Sequence, residues 1–241
     1  MVIQILSLKE APGINVKEIM EQGWAPFMTP DKTTMQAWRR MKEMFPEYQL
    51  SVFVDGKLAG VGNSVPLFWS GTLEELPSSW AETFRQAIES YDSETVNTLA
   101  AVNIAIHPDF QNSGLSRRLL TAFKELVCKK GFKKLIVPAR PSFKSDYPLI
   151  PLEEYIHLKQ EDGTPLDPWI RTHWRLGAKI VKPFPNAFTA KGTIREWESW
   201  TGMRFPRSGS YIVKGALQPV QIDIENDLGI YEDPHVWMEY E

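Results

Sequence analysis

The fold of this chain is decided by residues 104–116, IAIHPDFQNSGLS. The residues from Thr98 to Ile106 are almost all apolar, which is typical of a β-strand buried on both faces. His107-Pro108 ends that strand. From Ser116 onward apolar residues recur at helical spacing until Gly131, which is placed as a helix-ending glycine. The stretch therefore joins a buried strand to an amphipathic helix.

A second short apolar run, residues 133–137, follows this helix. Strand, helix and strand within about 40 residues form a βαβ unit, so we predict two parallel strands with a right-handed crossover. Upstream, the runs 50–54 and 57–61 are separated by Asp55-Gly56, the dipeptide that favours a tight β-hairpin.

Cap residues and apolar spacing predict the remaining elements. The expected helices are Asn15 to Gly23, Trp38 to Phe45, one beginning at Ser79, Asp167 to Leu176, and one beginning at Thr193; the expected strands are 178–181, 211–213 and 220–224. This order predicts an α+β fold with a mixed, partly parallel sheet flanked by helices. We expect a single domain over residues 1–241, with a long insert at 141–166 and a C-terminal extension at 190–241.

Composition narrows the classes of function. The 241-residue chain is 43% hydrophobic and 12% aromatic, with a net charge of −3. These values are typical of a globular protein and argue against disorder and against a polyanion-binding surface. The single cysteine, Cys128, cannot form an internal disulfide, and no apolar run reaches the ~18 residues that span a bilayer. We therefore expect a cytoplasmic protein whose partners include neither nucleic acid nor a membrane.

Residues 111–116 have the chemistry of an anion site. The first N–H groups of a helix lack partners within the helix, and they carry a partial positive charge. Gly114 allows the main chain to come close to a ligand, and Ser116 leaves room at the first turn. An ordinary strand-to-helix turn is the alternative interpretation. The Walker A and dinucleotide-binding glycine patterns are both absent from the sequence.

These residues resemble the central motif of the GNAT superfamily of acyl-CoA-dependent N-acyltransferases. In that family a strand ending in apolar-x-Pro precedes Gln/Arg-x-x-Gly-x-Gly/Ala at the start of a helix. Here the two parts are residues 104–108, IAIHP, and 111–116, QNSGLS, with Ser116 in place of the usual Gly or Ala. The resemblance covers about residues 50–182, and it implies a central sheet with a V-shaped splay.

The resemblance also implies an activity. Loop amides would hold the pyrophosphate of CoA, and the main chain of Ile104 and Ile106 would pair with the pantetheine arm. An acetyl or other short acyl group would pass to a primary amine by direct attack, through a tetrahedral intermediate. The acceptor would be a small molecule or a peptide. The residues implied in CoA binding are Ile104, Ala105, Ile106, Gln111, Asn112, Ser113, Gly114, Leu115 and Ser116.

A second signature of the family is a helix ending in Tyr-x-x-x-Gly-Phe, whose tyrosine commonly protonates the thiolate of CoA. In this chain His173 takes the tyrosine position before Gly177-Ala178. We expect His173 to be the general acid, since an imidazolium near a helix C-terminus suits that role. A packed histidine is the alternative, with Tyr155 as the fallback proton donor. We expect Tyr147 and Tyr155, in the insert 141–166, to line the acceptor side.

Two further alternatives stay open. A protein of the same fold that binds acyl-CoA without catalysis, as a sensor or interaction domain, would also explain the missing tyrosine. Trp197, Trp200 and Trp237 are expected in the core or on the surface of a homodimer. None of the four histidines has the spacing of a metal site, so we expect no metal.

Overall fold

The computed structural model describes residues 1–17, 19, 24–29, 32–91, 93 and 95–240. The chain divides into two units, of which the first comprises residues 1–24, 32–137 and 239–241 and the second comprises 25–31 and 138–238. The helix expected from Asn15 to Gly23 falls mainly on residues outside those described. That the chain forms a single domain stays a prediction.

The helices have the following bounds: α1 Lys32–Met44, α2 Trp80–Glu89, α3 Leu115–Lys130, α4 Leu152–Tyr155, α5 Pro168–Arg175 and α6 Ile194–Thr201. The strands are β1 Ile3–Ser7, β2 Gln49–Val54, β3 Lys57–Leu67, β4 Thr98–Ile106, β5 Lys134–Ala139, β6 Ala178–Gly192, β7 Gly209–Tyr211, β8 Val220–Asp223 and β9 Leu228–Tyr240. The α+β class predicted from the sequence is confirmed.

The first unit contains a sheet in the order β1-β2-β3-β4-β5. Its first four strands are antiparallel neighbours, whereas β4 and β5 run parallel. The hairpin predicted at Asp55-Gly56 joins β2 to β3, and both residues have the positive φ that such a tight turn requires, 47° and 79°. The hairpin and the βαβ unit are therefore confirmed.

Helix α3 covers β3 and β4 through an apolar stripe in which Leu119, Leu120 and Phe123 are fully buried. The packing is close because Gly62 has no side chain: a Cβ there would lie 2.9 Å from Phe123 Cζ. At the other end of the helix, Gly131 has φ 74° and closes the last turn as predicted. The connection between the two parallel strands is thus held by packing and by its cap.

In the second unit β9 pairs with β6 and also with β8, which pairs with β7. Two strands of this unit, β6 and β9, differ from the sequence prediction. Strand β6 continues to Gly192 through Pro183 and Pro185, because its only partner in the described chain is β9 and an edge strand tolerates missing N–H donors. Strand β9 was not predicted, since Asp233 and Pro234 interrupt its apolar pattern.

Candidate active site

The loop between β4 and α3 has the geometry that the sequence motif requires. A 3₁₀ turn, Pro108–Phe110, follows the strand, and both Asn112 and Gly114 have positive φ, 59° and 78°. Gly114 is the N-cap of α3. A Cβ added there would meet no protein atom within 4 Å, so a side chain at this position would project into the open space that a ligand needs.

The start of α3 is a concentrated set of donors. Arg118 N is bonded to Gly114 O at 3.2 Å, so the amides of residues 115–117 precede the helical ladder. The first turn contains no acidic residue, and Arg117 and Arg118 are exposed beside it. Partial charges at the helix end and two guanidinium groups therefore favour an anion such as a pyrophosphate.

A groove of about 510 Å³ lies against this helix start. The residues that line it are Ile5, Ser113, Gly114, Arg117, Arg118, Thr121, Ala122 and Glu125. In the loop, Ser113 Oγ donates to Phe110 O and Gln111 N donates to Pro108 O, which holds the turn in place. The side chain of Gln111 is exposed. The groove, its donors and its charge fit the anionic end of CoA.

The strand before the loop has an edge that β5 does not cover. The parallel pairing joins Thr98–Ala100 to Lys134–Ile136 and covers three residue pairs. Strand β4 continues to Ile106 beyond that pairing, which is the divergence expected from the family resemblance. The half-buried residues Ile104 and Ile106 lie in this segment. Their main chain is therefore placed on the strand segment that would pair with an extended ligand arm.

A bulge interrupts β4 within the same segment. Asn63 pairs with Asn103 and Ser64 pairs with Ala101, so Val102 is the extra residue. A bulge turns the local amide groups away from the regular ladder. In an acyl transfer, a backbone N–H at the splayed end of this strand would stabilise the oxyanion of the tetrahedral intermediate, and the bulge supplies a reason for an amide to point out of the sheet.

A chain of buried amide side chains supports the bulge, and sequence reasoning missed it. Gln49 Nε2 donates to Phe45 O and Ser64 O, which fixes its Oε1 as an acceptor. Asn63 Nδ2 donates to that oxygen at 2.9 Å, and Asn103 Nδ2 donates to Asn63 Oδ1 at 3.0 Å. Because Phe45 O and Ser64 O can only accept, they fix the orientation of the Gln49 side-chain amide and, through it, those of Asn63 and Asn103. The sequence signal for this chain was the presence of three polar residues on otherwise apolar strands.

His173 lies in the last turn of α5 and is fully buried, 4.4 Å from the ring of Trp169 between centroids. Burial lowers its pKa to about 3. The imidazolium expected from the helix C-terminus is therefore wrong for this structure, because desolvation outweighs the helix dipole. That His173 donates the proton stays a prediction, and the donor would then be the N–H of a neutral imidazole.

The buried ring predicts a pH effect on stability. In the unfolded chain a histidine binds a proton near pH 6.5, whereas His173 does so only near pH 3. The unfolded state therefore binds more protons below pH 6.5, and His173 should destabilise the fold by about 1.4 kcal/mol for each pH unit below that value. In His173→Gln the free energy of unfolding, measured in urea, should fall less between pH 6.5 and 4.5 than in the wild type.

The exposed residue His157 supplies the control. His157→Gln removes a histidine without removing a buried one, so its pH profile should follow the wild type. A His173→Gln profile that also follows the wild type would show that the buried ring titrates normally.

Tyr155 belongs to the core of the second unit. It is buried, and its hydroxyl donates to Asp167 Oδ2 at 3.0 Å. Burial and the charge of Asp167 raise its pKa above the ordinary value. The prediction that Tyr155 is the fallback acid and lines the acceptor side is therefore corrected. Its side chain is buried, and its hydroxyl is already bonded to Asp167, the N-cap of α5. Tyr147 is 41% exposed and packs on Tyr155 at 5.9 Å.

The insert 141–166 is packed rather than loose. Lys144 is buried, and its Nζ donates to Tyr147 O and Leu217 O at 2.9 and 2.8 Å. Phe143 N donates to Asp167 Oδ2 at 2.8 Å. Removing part of this segment would therefore expose core groups, so its contribution to acceptor binding has to be tested with single substitutions.

A buried ionic cluster in the second unit was also missed by sequence reasoning. Asp233 accepts hydrogen bonds from Arg140 Nε, Tyr231 Oη and His235 Nε2 at 2.9, 2.5 and 2.7 Å. Burial alone would raise the pKa of Asp233, but the charge of Arg140 and the hydrogen bond from His235 lower it to about 2. Asp233 is therefore ionised at any working pH.

Among the described residues, no group of three or more His, Cys, Asp or Glu side chains is arranged to hold a metal ion. Within the same residues, no helix has both the length and the apolar character needed to cross a bilayer.

No family model matches the chain. A curated protein, the arginine N-acetyltransferase avaD of Aspergillus versicolor, is 29% identical in an alignment of 249 positions that covers 91% of this chain and 85% of that protein.

Two solved structures are similar to the whole chain. The loading GNATL domain of CurA from Lyngbya majuscula is 20% identical with a TM-score of 0.61, over 100% of this chain and 98% of that one. The GphF GNAT-like decarboxylase, solved with isobutyryl-CoA, is 13% identical with a TM-score of 0.58 and the same coverage. With the β4–α3 motif and the diverging parallel strands, these similarities show that the chain has the GNAT fold and is similar over most of its length to a curated N-acetyltransferase.

Proposed function

We propose that this protein transfers an acetyl or other short acyl group from CoA to the primary amine of a small molecule or peptide. The observation that carries the proposal is the open groove at the start of α3, where helix amides meet Arg117 and Arg118 next to the uncovered edge of β4. CoA is the co-substrate, and the proposal needs no metal.

Each part of the site has a defined task. The amides of residues 112–117 and the two arginines bind the pyrophosphate, and the edge of β4 beyond Ala100 pairs with the pantetheine arm. Holding both substrates in one geometry supplies much of the rate. The amine attacks the thioester carbonyl, a new C–N bond forms, and an amide near the bulge at Val102 stabilises the oxyanion. The nitrogen gives up a proton to water, the C–S bond breaks, and the thiolate takes a proton.

The proton for the thiolate comes from His173 or from water. A neutral imidazole at His173 carries one N–H and can still donate it, whereas Tyr155 is held by Asp167. Water is the alternative donor. His173→Ala should lower kcat by about 10²-fold if the ring serves as the general acid, with little change in the KM for acetyl-CoA.

Arginine acetylation by the relative from Aspergillus versicolor suggests that small amines with polar side chains are the first acceptors to test. We also propose that the protein works in the cytoplasm, in keeping with its single cysteine. A homodimer stays an open proposal.

The decisive measurement is the release of free thiol from acetyl-CoA against a panel of primary amines that includes L-arginine and agmatine. We expect amine-dependent thiol release, with the N-acetylated product found by mass spectrometry. Binding of acetyl-CoA without turnover of any amine would favour the rival, a non-catalytic acyl-CoA sensor. Failure to bind either CoA or acetyl-CoA would contradict both.

A further inference from the structure

The bulge in β4 determines which amides of that strand face a ligand. Val102 is the extra residue, inserted between the partners of Asn63 and Ser64. Along a strand the N–H groups point alternately to its two edges, so an extra residue changes which of the following amides point to the open edge. In the described chain β5 pairs with β4 only as far as Ala100. The place of the bulge therefore decides the direction of the amides that an acyl group would meet.

One side chain holds both residues of β3 that face the bulge. Gln49 Nε2 donates to Ser64 O at 2.9 Å, and Gln49 Oε1 accepts from Asn63 Nδ2 at 2.9 Å. The same Nε2 also donates to Phe45 O at 2.9 Å, and Ser64 Oγ donates to Tyr48 O at 2.9 Å. Gln49, Asn63 and Ser64 are all buried, so a polar group that loses its partner there is costly. The backbone of β3 is therefore fixed on both sides of the bulge.

A hydrogen bond from Asn103 Nδ2 to Asn63 Oδ1, 3.0 Å long, joins the two strands beside the bulge. It favours one position of the bulge over the next. If the extra residue were Asn103 instead of Val102, Asn63 would lie opposite Val102, whose side chain has no donor. The buried oxygen of Asn63 would then lose its donor, which costs free energy. The two asparagines therefore act as a lock on the register between β3 and β4.

This register lock lies on the face of the sheet opposite α3. A Cβ on Gly62 would lie 2.9 Å from Phe123 Cζ, so Gly62 faces that helix. Successive residues of a strand point to opposite faces, so Asn63 and its partner Asn103 point away from α3. The helix whose first turn forms the CoA groove thus packs on β3 through other residues. A change in the register lock should leave that groove in place.

From these contacts we propose that Asn63 and Gln49 are positioning residues for acyl transfer, which hold the bulge at Val102 and thereby aim an amide of β4 at the thioester oxygen. The inference rests on the proposed function and adds to it residues that act through the backbone of β4. An amide aimed in advance at a developing oxyanion lowers the barrier more than it strengthens binding. Loss of the register lock should therefore lower kcat and leave the affinity for acetyl-CoA unchanged.

The first arm measures kcat and the KM for acetyl-CoA in Asn63→Leu, which keeps a side chain of similar size and removes both of its amide hydrogen bonds. The amine is the member of the panel above that gives the highest rate. We expect kcat per folded molecule to fall at least tenfold, because loss of one oxyanion donor costs about 10²–10³-fold, with little change in KM. Leu67 is fully buried at the far end of β3. Leu67→Ala should destabilise the same strand and leave kcat unchanged.

The second arm needs no acceptor. Infrared difference spectroscopy measures the stretching frequency of the thioester carbonyl in acetyl-CoA that is isotope-labelled at that carbon. A hydrogen bond from an aimed amide polarises the carbonyl, so the frequency should be lower in the wild-type complex than in free acetyl-CoA. Asn63→Leu should lose most of this shift, and Leu67→Ala should keep it. Asn103→Leu breaks the same hydrogen bond from the other strand, so in the double variant the two losses should not add.

The inference is overturned if folded Asn63→Leu keeps the wild-type kcat or the wild-type carbonyl shift, or if acetyl-CoA bound to the wild type shows no shift. Amine turnover by the wild type would uphold the proposed acyl transfer even then. A carbonyl shift that depends on Asn63, without turnover of any amine, would uphold the positioning role and contradict the acyl transfer. If neither single variant folds, the double variant Asn63→Leu with Asn103→Leu replaces the hydrogen bond by an apolar contact and keeps both arms measurable.

Discussion

Asp233→Asn should lower the free energy of unfolding by about 3–5 kcal/mol, the usual cost of removing one partner of a buried ion pair. The buried guanidinium of Arg140 would then lose its counter-charge, and His235 would lose the carboxylate oxygen at its Nε2. Tyr231 Oη would also lose an acceptor for its hydrogen bond. Urea unfolding at pH 7 measures the effect.

The same residue predicts an acid transition. The pKa of Asp233 is lowered to about 2 in the folded protein, against about 3.9 in an unfolded chain. Its stabilisation is thus complete above pH 4 and is lost as the pH falls through 2; a shift of this size is equivalent to about 2.6 kcal/mol. Asp233→Asn should remove this part of the pH dependence.

Asp146 is exposed and provides the control for both measurements. Asp146→Asn deletes one carboxylate without touching the cluster, and it should change the free energy of unfolding by less than 0.5 kcal/mol, as surface substitutions generally do. A loss below about 1 kcal/mol in Asp233→Asn, smaller than the range for buried pairs, would mean that the cluster is not a cooperative unit.

Gly114→Val should weaken the binding of CoA and acetyl-CoA at least tenfold. Gly114 has φ 78°, a conformation that costs other residues about 1–2 kcal/mol, so valine should shift the loop amides away from their positions. Its side chain would also enter the open space where the pyrophosphate is expected, because no protein atom lies within 4 Å of the added Cβ. Isothermal calorimetry gives both affinities.

Gly131 offers a matched control at the opposite end of the same helix. It has φ 74°, and an added Cβ there would also meet nothing within 4 Å. Gly131→Val should therefore cost similar stability and leave the affinity for CoA unchanged. Equal affinities in folded Gly114→Val and wild type would remove the loop from the binding site.

The parts of the fold that the sequence predicted well are those with local causes. Asp55-Gly56 determines its hairpin, and Gly131 and Asp167 cap their helices, because each acts on backbone groups a few residues away. Asp167 Oδ1 accepts from Trp169 N at 2.9 Å, as an N-cap should. The run 98–106 and the helix after it have apolar patterns so regular that β4 and α3 followed from them directly.

In the candidate site, too, only the features with local causes could be predicted from the sequence. The loop amides, Gly114 and the helix start are local features, so residues 111–116 were recognisable from spacing. The chemistry of His173 and Tyr155 depends on what surrounds them: burial determines the charge of His173, and Asp167 engages the hydroxyl of Tyr155. Neither environment is encoded in the residues next to them in sequence.

The sequence by itself thus determined the strand–loop–helix motif, because hydrogen bonds along a helix and across a tight turn connect near neighbours. Only the tertiary structure decided that Arg140 forms a hydrogen bond with Asp233, 93 residues away, and that Asn103 forms one with Asn63 on the neighbouring strand. Such pairs form because a buried polar group must find a partner in whichever element packs against it. That choice depends on strand pairing over long separations, which local patterns do not record.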